Sequence, residues 1–255
     1  VSLAETWFVS ETTKMSPHLE YGQAVRGHCD GRSIGIIDTV RLIKVVAGLN
    51  LIEQTGKFAE QMKQVKDWFR NYVYWMNHSE KGLEEKNYFN NHANWWNTQV
   101  AVFSAFSGDD GLLEECFERY QNHIISQQTN LEGAFVDELT RTNSYTYTLY
   151  NLEACAIICE LAHHKGVDLW SFQTKEGKGI KKSIAFFKPY YINPFLWKHQ
   201  QISFQKSVMR ESLPMRLAAL HFCDAELRRA NQFRQDDIKP FTTTCNLGLL
   251  DLIQE

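Results

Sequence analysis

The sequence is 255 residues long, enough for one well-buried domain, and nothing in it demands two. A net charge of −3 lacks the basic surplus of a nucleic-acid binder, so any anionic partner must be met by a local basic patch. No apolar run approaches the ~18 residues of a spanning helix, so no membrane insertion is expected.

Aromatic residues reach 13% with seven Trp, which fits either a sugar-binding cleft or a large helical core. The opening Val1-Ser2-Leu3-Ala4-Glu5-Thr6-Trp7 has neither the basic nor the apolar region of a signal peptide. With no initiating Met, it reads as the start of a processed or truncated product. Six cysteines, at positions 29, 116, 155, 159, 223 and 245, show no metal-type pairs and no dense disulfide framework.

Along the chain, Met15 to Asp38 is punctuated by Gly22, Gly27, Gly31 and Gly35 and carries Arg26, His28 and Arg32, which describes a long loop running into a helix. Apolar residues then recur at helical spacing from Ile36 to Ile52 and from Phe58 to Met76, with Gly82 in a polar break. Further helices are expected over Trp95 to Ser107, Leu112 to Ile125, Ser144 to His163, Leu213 to Ala230 and Thr243 to Ile253. Lys188 to Gln205, with Pro189, Tyr190, Tyr191, Pro194 and Trp197, reads as a second irregular stretch. β-Branched alternation is nearly absent, so the chain is expected to be all-α, a series of helical hairpins in a single domain over 1–255.

The candidate chemistry lies in Asn90-Asn91-His92-Ala93-Asn94-Trp95-Trp96, with Arg141 and Tyr147 some fifty positions on. If His92 opens a helix, the indoles of Trp95 and Trp96 fall three and four residues later on its face. A purely structural reading also stands: Asn90 and Asn91 as helix caps, the two Trp as core, and Tyr145, Tyr147 and Tyr150 as core aromatics. Arg141 and Tyr147 add the requirements of one reaction. Cleaving a uronate chain by β-elimination removes the proton on C5, beside the carboxylate, and protonates the oxygen leaving C4. Asn, His or Arg can hold the carboxylate so that enolate-like charge meets fixed dipoles and cations. A phenol of ordinary pKa ~10 can take the proton if a cation favours its ionised form, and then return it to the leaving oxygen.

Three stretches together resemble the alginate-lyase-like polysaccharide lyases. They are Asn90-Asn91-His92 with Trp95, Trp96 and Gln99; Arg141-Thr142 with Ser144, Tyr147, Asn151 and Leu152; and Gly31-Arg32-Ser33-Ile34-Gly35-Ile36-Ile37-Asp38-Thr39. The resemblance implies an incomplete α/α toroid, N-terminally truncated because the family's first helices have no counterpart here. It implies that Asn91 and His92 neutralise the substrate carboxylate, Arg141 supports the tyrosine and Tyr147 transfers protons. Asn90, Trp95, Trp96, Arg26, Arg32 and Tyr150 become substrate-binding candidates. It further implies an acidic polysaccharide substrate, no metal or other cofactor, a monomer, and an extracellular or periplasmic setting. Two rivals remain. A toroid glycoside hydrolase would need paired carboxylates, available at Asp109, Asp110, Asp137 and Glu138. A non-catalytic carbohydrate-binding protein would have no need for Arg141 and Tyr147 together.

Overall fold

The computed structural model describes residues 2–202 and 212–235, and the helix expected over Thr243 to Ile253 lies outside them. The described residues are helical, as expected, with isolated bridges at Val25–Cys29, Thr129–Phe135 and Asn143–Gln201 and no strand. They fall into two compact units. Unit 1 contains residues 2–88 and 95–116, and unit 2 contains residues 89–94, 117–202 and 212–235.

In unit 1 a 3-10 run over Ser33–Arg41 leads into α1 (Leu42–Gln54), followed by α2 (Ala59–His78) and α3 (Glu80–Lys86). The helix expected from Ile36 therefore begins as 3-10 and becomes α-helical only at Leu42. The polar break around Gly82 is itself helical, capped by Ser79, whose hydroxyl accepts the Gly82 N–H. α4 (Asn91–Ser107) begins in unit 2, and its residues from Trp95 onward belong to unit 1.

The core of unit 1 is an aromatic cluster. Phe8 packs on Trp68 with ring centroids 4.9 Å apart, and Phe69 packs on Phe103 and Phe106 at 5.0 and 5.5 Å. Phe69 is fully buried, and burial of such a ring contributes about 1.5–3 kcal/mol. Trp68, Trp95, Trp96, Trp170 and Trp197 are all buried, so much of the aromatic excess serves the two cores.

α5 (Asp110–Arg119) widens into a π-helical stretch at Tyr120–Ile125, where one continuous α-helix was expected. Unit 2 is organised around α6 (Ser144–His164). From Asn151 to Ala162 every residue except Glu153 is buried, as expected for a helix apolar around its circumference. α7 (Ile180–Ile192) and α8 (Leu213–His221) pack against α6, and α9 (Ala225–Gln235) packs against α8. Sequence pattern alone misses α7, because Pro189 reads as a breaker. Pro189 instead sits in the last turn, where its carbonyl accepts the N–H of Asn193. The single helix expected over Leu213 to Ala230 is broken at Cys223, which has φ of 51°, and Asp224 restarts it by accepting the N–H groups of Glu226 and Leu227 at 3.0 Å.

Among the described residues, Cys29, Cys116, Cys155, Cys159 and Cys223 form no disulfide. Burial pushes the Cys155 thiol up to about 12, against the hydrogen bond it receives from Asn94.

Glycine in the loop of unit 1 permits close backbone packing. A Cβ on Gly35 would lie 2.6 Å from the Gly22 carbonyl carbon, and one on Gly31 would lie 2.1 Å from the Glu20 carbonyl oxygen. Exposed Gly48, inside α1, has nothing near its missing Cβ. Gly35→Ala should therefore cost about 1–3 kcal/mol through forced backbone shifts. Gly48→Ala should stabilise by up to about 1 kcal/mol. Urea unfolding of the two variants checks this, and equal effects would contradict it.

Candidate active site

His92 and Tyr147 come from the first turns of α4 and α6, and Asn94, in the part of α4 that belongs to unit 2, bonds to α6. Asn94 Nδ2 donates to the Asn151 carbonyl at 3.1 Å, to Asn151 Oδ1 at 2.7 Å and to Cys155 Sγ at 3.1 Å. Asn151 Nδ2 donates to Gln128 Oε1 at 3.2 Å, and Gln128 Nε2 donates to the Asn90 carbonyl at 3.0 Å. Asn90, Asn94, Gln128 and Asn151 are all buried, so these bonds satisfy amides that would otherwise carry a desolvation cost of about 1–3 kcal/mol each.

The first turn of α4 is held by a carboxylate from outside the helix. Glu138, wholly buried in the single turn Val136–Leu139, accepts the Asn91 backbone N–H at 2.7 Å. The Asn91 side-chain amide donates to the two Glu138 oxygens at 2.9 and 3.1 Å. An acceptor at this helix end meets the unpaired N–H groups and the positive end of the helix dipole. Burial raises the Glu138 pKa, against the hydrogen bonds from Asn91 and the charge of Arg141. Asn91 is also wholly buried, and its Oδ1 has no hydrogen-bond partner among the described residues.

Arg141 follows Glu138 by three residues, and its N–H reaches the Glu138 carbonyl at 3.3 Å. Its guanidinium carbon lies 3.8 Å from the centroid of the Tyr147 ring, a cation stacked on a phenol face. His92, Arg141, Tyr147 and Tyr150 are all partly exposed. The start of α6 is held by residues 197–202. Trp197 Nε1 donates to Ser144 Oγ at 2.8 Å, Ser144 Oγ donates to the Gln200 carbonyl at 2.6 Å, and Gln201 Oε1 accepts the Tyr145 N–H at 3.1 Å. The aromatic stretch after Lys188 thus contributes the last turn of α7 and then a brace for the helix of Tyr147.

Unit 2 therefore joins Asn91, Arg141 and Tyr147 into one connected set through Glu138, with His92 adjacent in the same turn. From sequence, Glu138 stands out only as one of the carboxylates a hydrolase would need. Its spacing of three from Arg141 was available, but its bonds to Asn91 span 47 positions and follow from packing. Asn90, a substrate-binding candidate, directs its Oδ1 to the His92 N–H at 3.1 Å, as a cap does. The expectation that Asn91 meets the substrate carboxylate itself encounters an amide already turned to Glu138.

The remaining candidates lie in unit 1. Trp95 and Trp96 are 3% and 1% exposed, with Lys86 Nζ 5.0 Å from the Trp96 ring, and neither presents an open indole face for stacking on a sugar. Arg26 and Arg32 are exposed. Two further motif residues meet there: Thr39 Oγ1 lies 2.7 Å from Gln99 Oε1, and Gln99 Nε2 donates to the Ile36 carbonyl at 3.3 Å. Among the described residues no cluster of His, Cys, Asp and Glu is arranged to hold a metal ion.

All-α construction and an amide, imidazole, guanidinium and phenol gathered at adjoining helix starts match the helical lyase class that the motifs suggest. The alginate lyase family model matches residues 1–197, and the chain belongs to that family. A solved alginate lyase from Bacteroides ovatus is similar to it with a TM-score of 0.86 at 26% identity, covering 100% of this chain and 66% of that one. The chain thus spans just under two thirds of that protein. Alginate lyase A1-III, solved as a histidine-to-alanine variant in apo form, gives a TM-score of 0.53 at 21% identity over 66% of this chain and 48% of that one. The same variant complexed with a tetrasaccharide gives 0.52 at 18% identity over 84% and 78%, and at these identities the likeness concerns the fold alone. No protein of curated function matches the sequence. The expected incomplete α/α toroid agrees with this family and with the Bacteroides ovatus structure.

The raised Glu138 pKa has a consequence for stability. The folded protein binds this proton more tightly than the unfolded chain, so the contribution is full at low pH and is lost as pH rises through the folded-state pKa. Glu138→Gln removes the titration. Its stability relative to wild type should therefore improve on going from about pH 4 to about pH 8, read by urea unfolding. A difference that is flat or moves the other way would contradict the assignment.

Proposed function

We propose that this protein is a polysaccharide lyase that cleaves an acidic uronate polymer of the alginate type by β-elimination. The observation that carries the reading is Arg141 stacked 3.8 Å from the centre of the Tyr147 ring, in the same bonded set as the turn of Asn91 and His92. A phenol that accepts a proton must carry negative charge, and a cation against its ring attracts that charge. His92 and Arg141, both partly exposed, supply positive and hydrogen-bond-donating groups for the substrate carboxylate. Asn91 acts through the turn it anchors.

In the step itself, ionised Tyr147 takes the proton from C5. The electron pair of that C–H bond forms the C4=C5 double bond, the C4–O bond breaks, and the leaving oxygen takes a proton from the Tyr147 phenol. One residue can serve twice when the proton and the leaving oxygen lie on the same face of the sugar, as in polymannuronate. When they lie on opposite faces, His92 is the group left to take the C5 proton. The chemistry draws on no metal. Against a hydrolase, Glu138 is wholly buried and bonded to Asn91, so it is poorly placed to protonate a glycosidic oxygen in solvent.

Mixing the protein with polymannuronate, polyguluronate and glucuronan should generate the ultraviolet absorbance of the new conjugated double bond together with reducing ends. Reducing ends without that absorbance would sink the reading. Tyr147→Phe should lower kcat by about 10²–10⁴-fold, the usual worth of a general acid–base, while polymer binding is retained. Full turnover in that variant would move the proton chemistry to another residue.

A further inference from the structure

We infer that Glu138 is the positioning residue of this site, locking the turn that bears His92 to the segment that bears Arg141 and Tyr147. The inference rests on the elimination reading for its effect on turnover, and on geometry for the lock itself. Glu138 accepts from both the main chain and the side chain of Asn91, at 2.7, 2.9 and 3.1 Å. Its carbonyl accepts the Arg141 N–H, and Arg141 in turn covers Tyr147. A continuous route therefore runs from the His92 turn through Glu138 to the phenol, all within unit 2.

The arrangement is costly unless it serves a purpose. A carboxylate at zero exposure forfeits its hydration, and hydrogen bonds to one amide only partly offset that loss. Serine or asparagine at the helix cap could satisfy the end of α4 locally, and Asn90 already caps it by accepting the His92 N–H. Glu138 does what a local cap cannot: it ties two separate segments whose side chains must meet one substrate carboxylate and one C5–H. A carboxylate that accepts from both the main-chain N–H and the side-chain amide of one residue fixes rotation as well as distance.

Glutamine preserves the length of the side chain and one of its two acceptors. Its Oε1 can still accept the Asn91 main-chain N–H and side-chain amide, but its Nε2 replaces the oxygen that accepts Asn91 Nδ2 at 3.1 Å, so one of the three bonds is lost. Aspartate keeps the charge but withdraws the carboxylate by one methylene, and alanine removes it.

The test compares wild type with Glu138→Gln, Glu138→Asp and Glu138→Ala, using kcat and KM on polymannuronate and the NMR ring signal of His92, assigned by its loss in His92→Gln. Glu138→Asp and Glu138→Ala should lose about 10²-fold in kcat, the scale of a misplacement near 1 Å, with a smaller change in KM. Their His92 signal should move, while Glu138→Gln, which keeps the two bonds to Oε1, loses less turnover and shifts the signal less. Folded Glu138→Asp or Glu138→Ala protein with wild-type kcat would overturn the inference. So would an unmoved His92 signal in both. If wild type leaves every polyuronate intact, the functional reading alone falls, and the His92 signals decide the lock by the same criterion.

Discussion

A buried carboxylate accepting three hydrogen bonds from one asparagine is the constraint on which unit 2 depends. Glu138 meets the unpaired N–H groups at the buried start of α4, and Asn91 presents the donors that make burial of a carboxylate there tolerable. Neither group is satisfied alone. Because Glu138 precedes Arg141 by less than a helical turn, the same bonds that end α4 also set where the guanidinium over Tyr147 begins.

The rest of unit 2 secures the two helices that this bond joins. Amides at Asn94 and Asn151 tie α4 to α6 one turn deeper, and Gln128 closes the network back to Asn90. At the other side, Trp197 and Gln201 hold the first turn of α6 from a segment more than fifty residues later. Packing beneath is dense and aromatic, with Tyr145 4.8 Å from Phe187 and 5.5 Å from Trp197. The result is a rigid set of helix starts, which suits groups that must be held before a substrate arrives.

Local patterns were readable where the physics is local. Period-3.6 spacing located α2 closely, and the Ser144 start of α6 followed from the polar lead-in around Arg141. Pro189 misled because a proline late in a helix removes only one donor and can be tolerated. The break at Cys223 escaped notice because apolar spacing carries on across it and only Asp224 marks the restart. In the candidate site, the contact between Arg141 and Tyr147 is legible through their six-residue spacing and complementary chemistry. Trp95 and Trp96 were not, since an indole facing a sugar and an indole in a core look the same in sequence, and here both are buried. Glu138 was hidden for a different reason: its partner is distant in sequence, and a carboxylate beside another acidic residue looks like solvated surface.

The most direct measurement of the central claim is a crystal structure of Tyr147→Phe protein soaked with a uronate oligosaccharide. The account predicts one uronate carboxylate within hydrogen-bonding distance of His92, with C5 of that sugar beside position 147 and Asn91 still bonded to Glu138. An oligosaccharide bound with its carboxylates remote from His92 and Arg141 would contradict it.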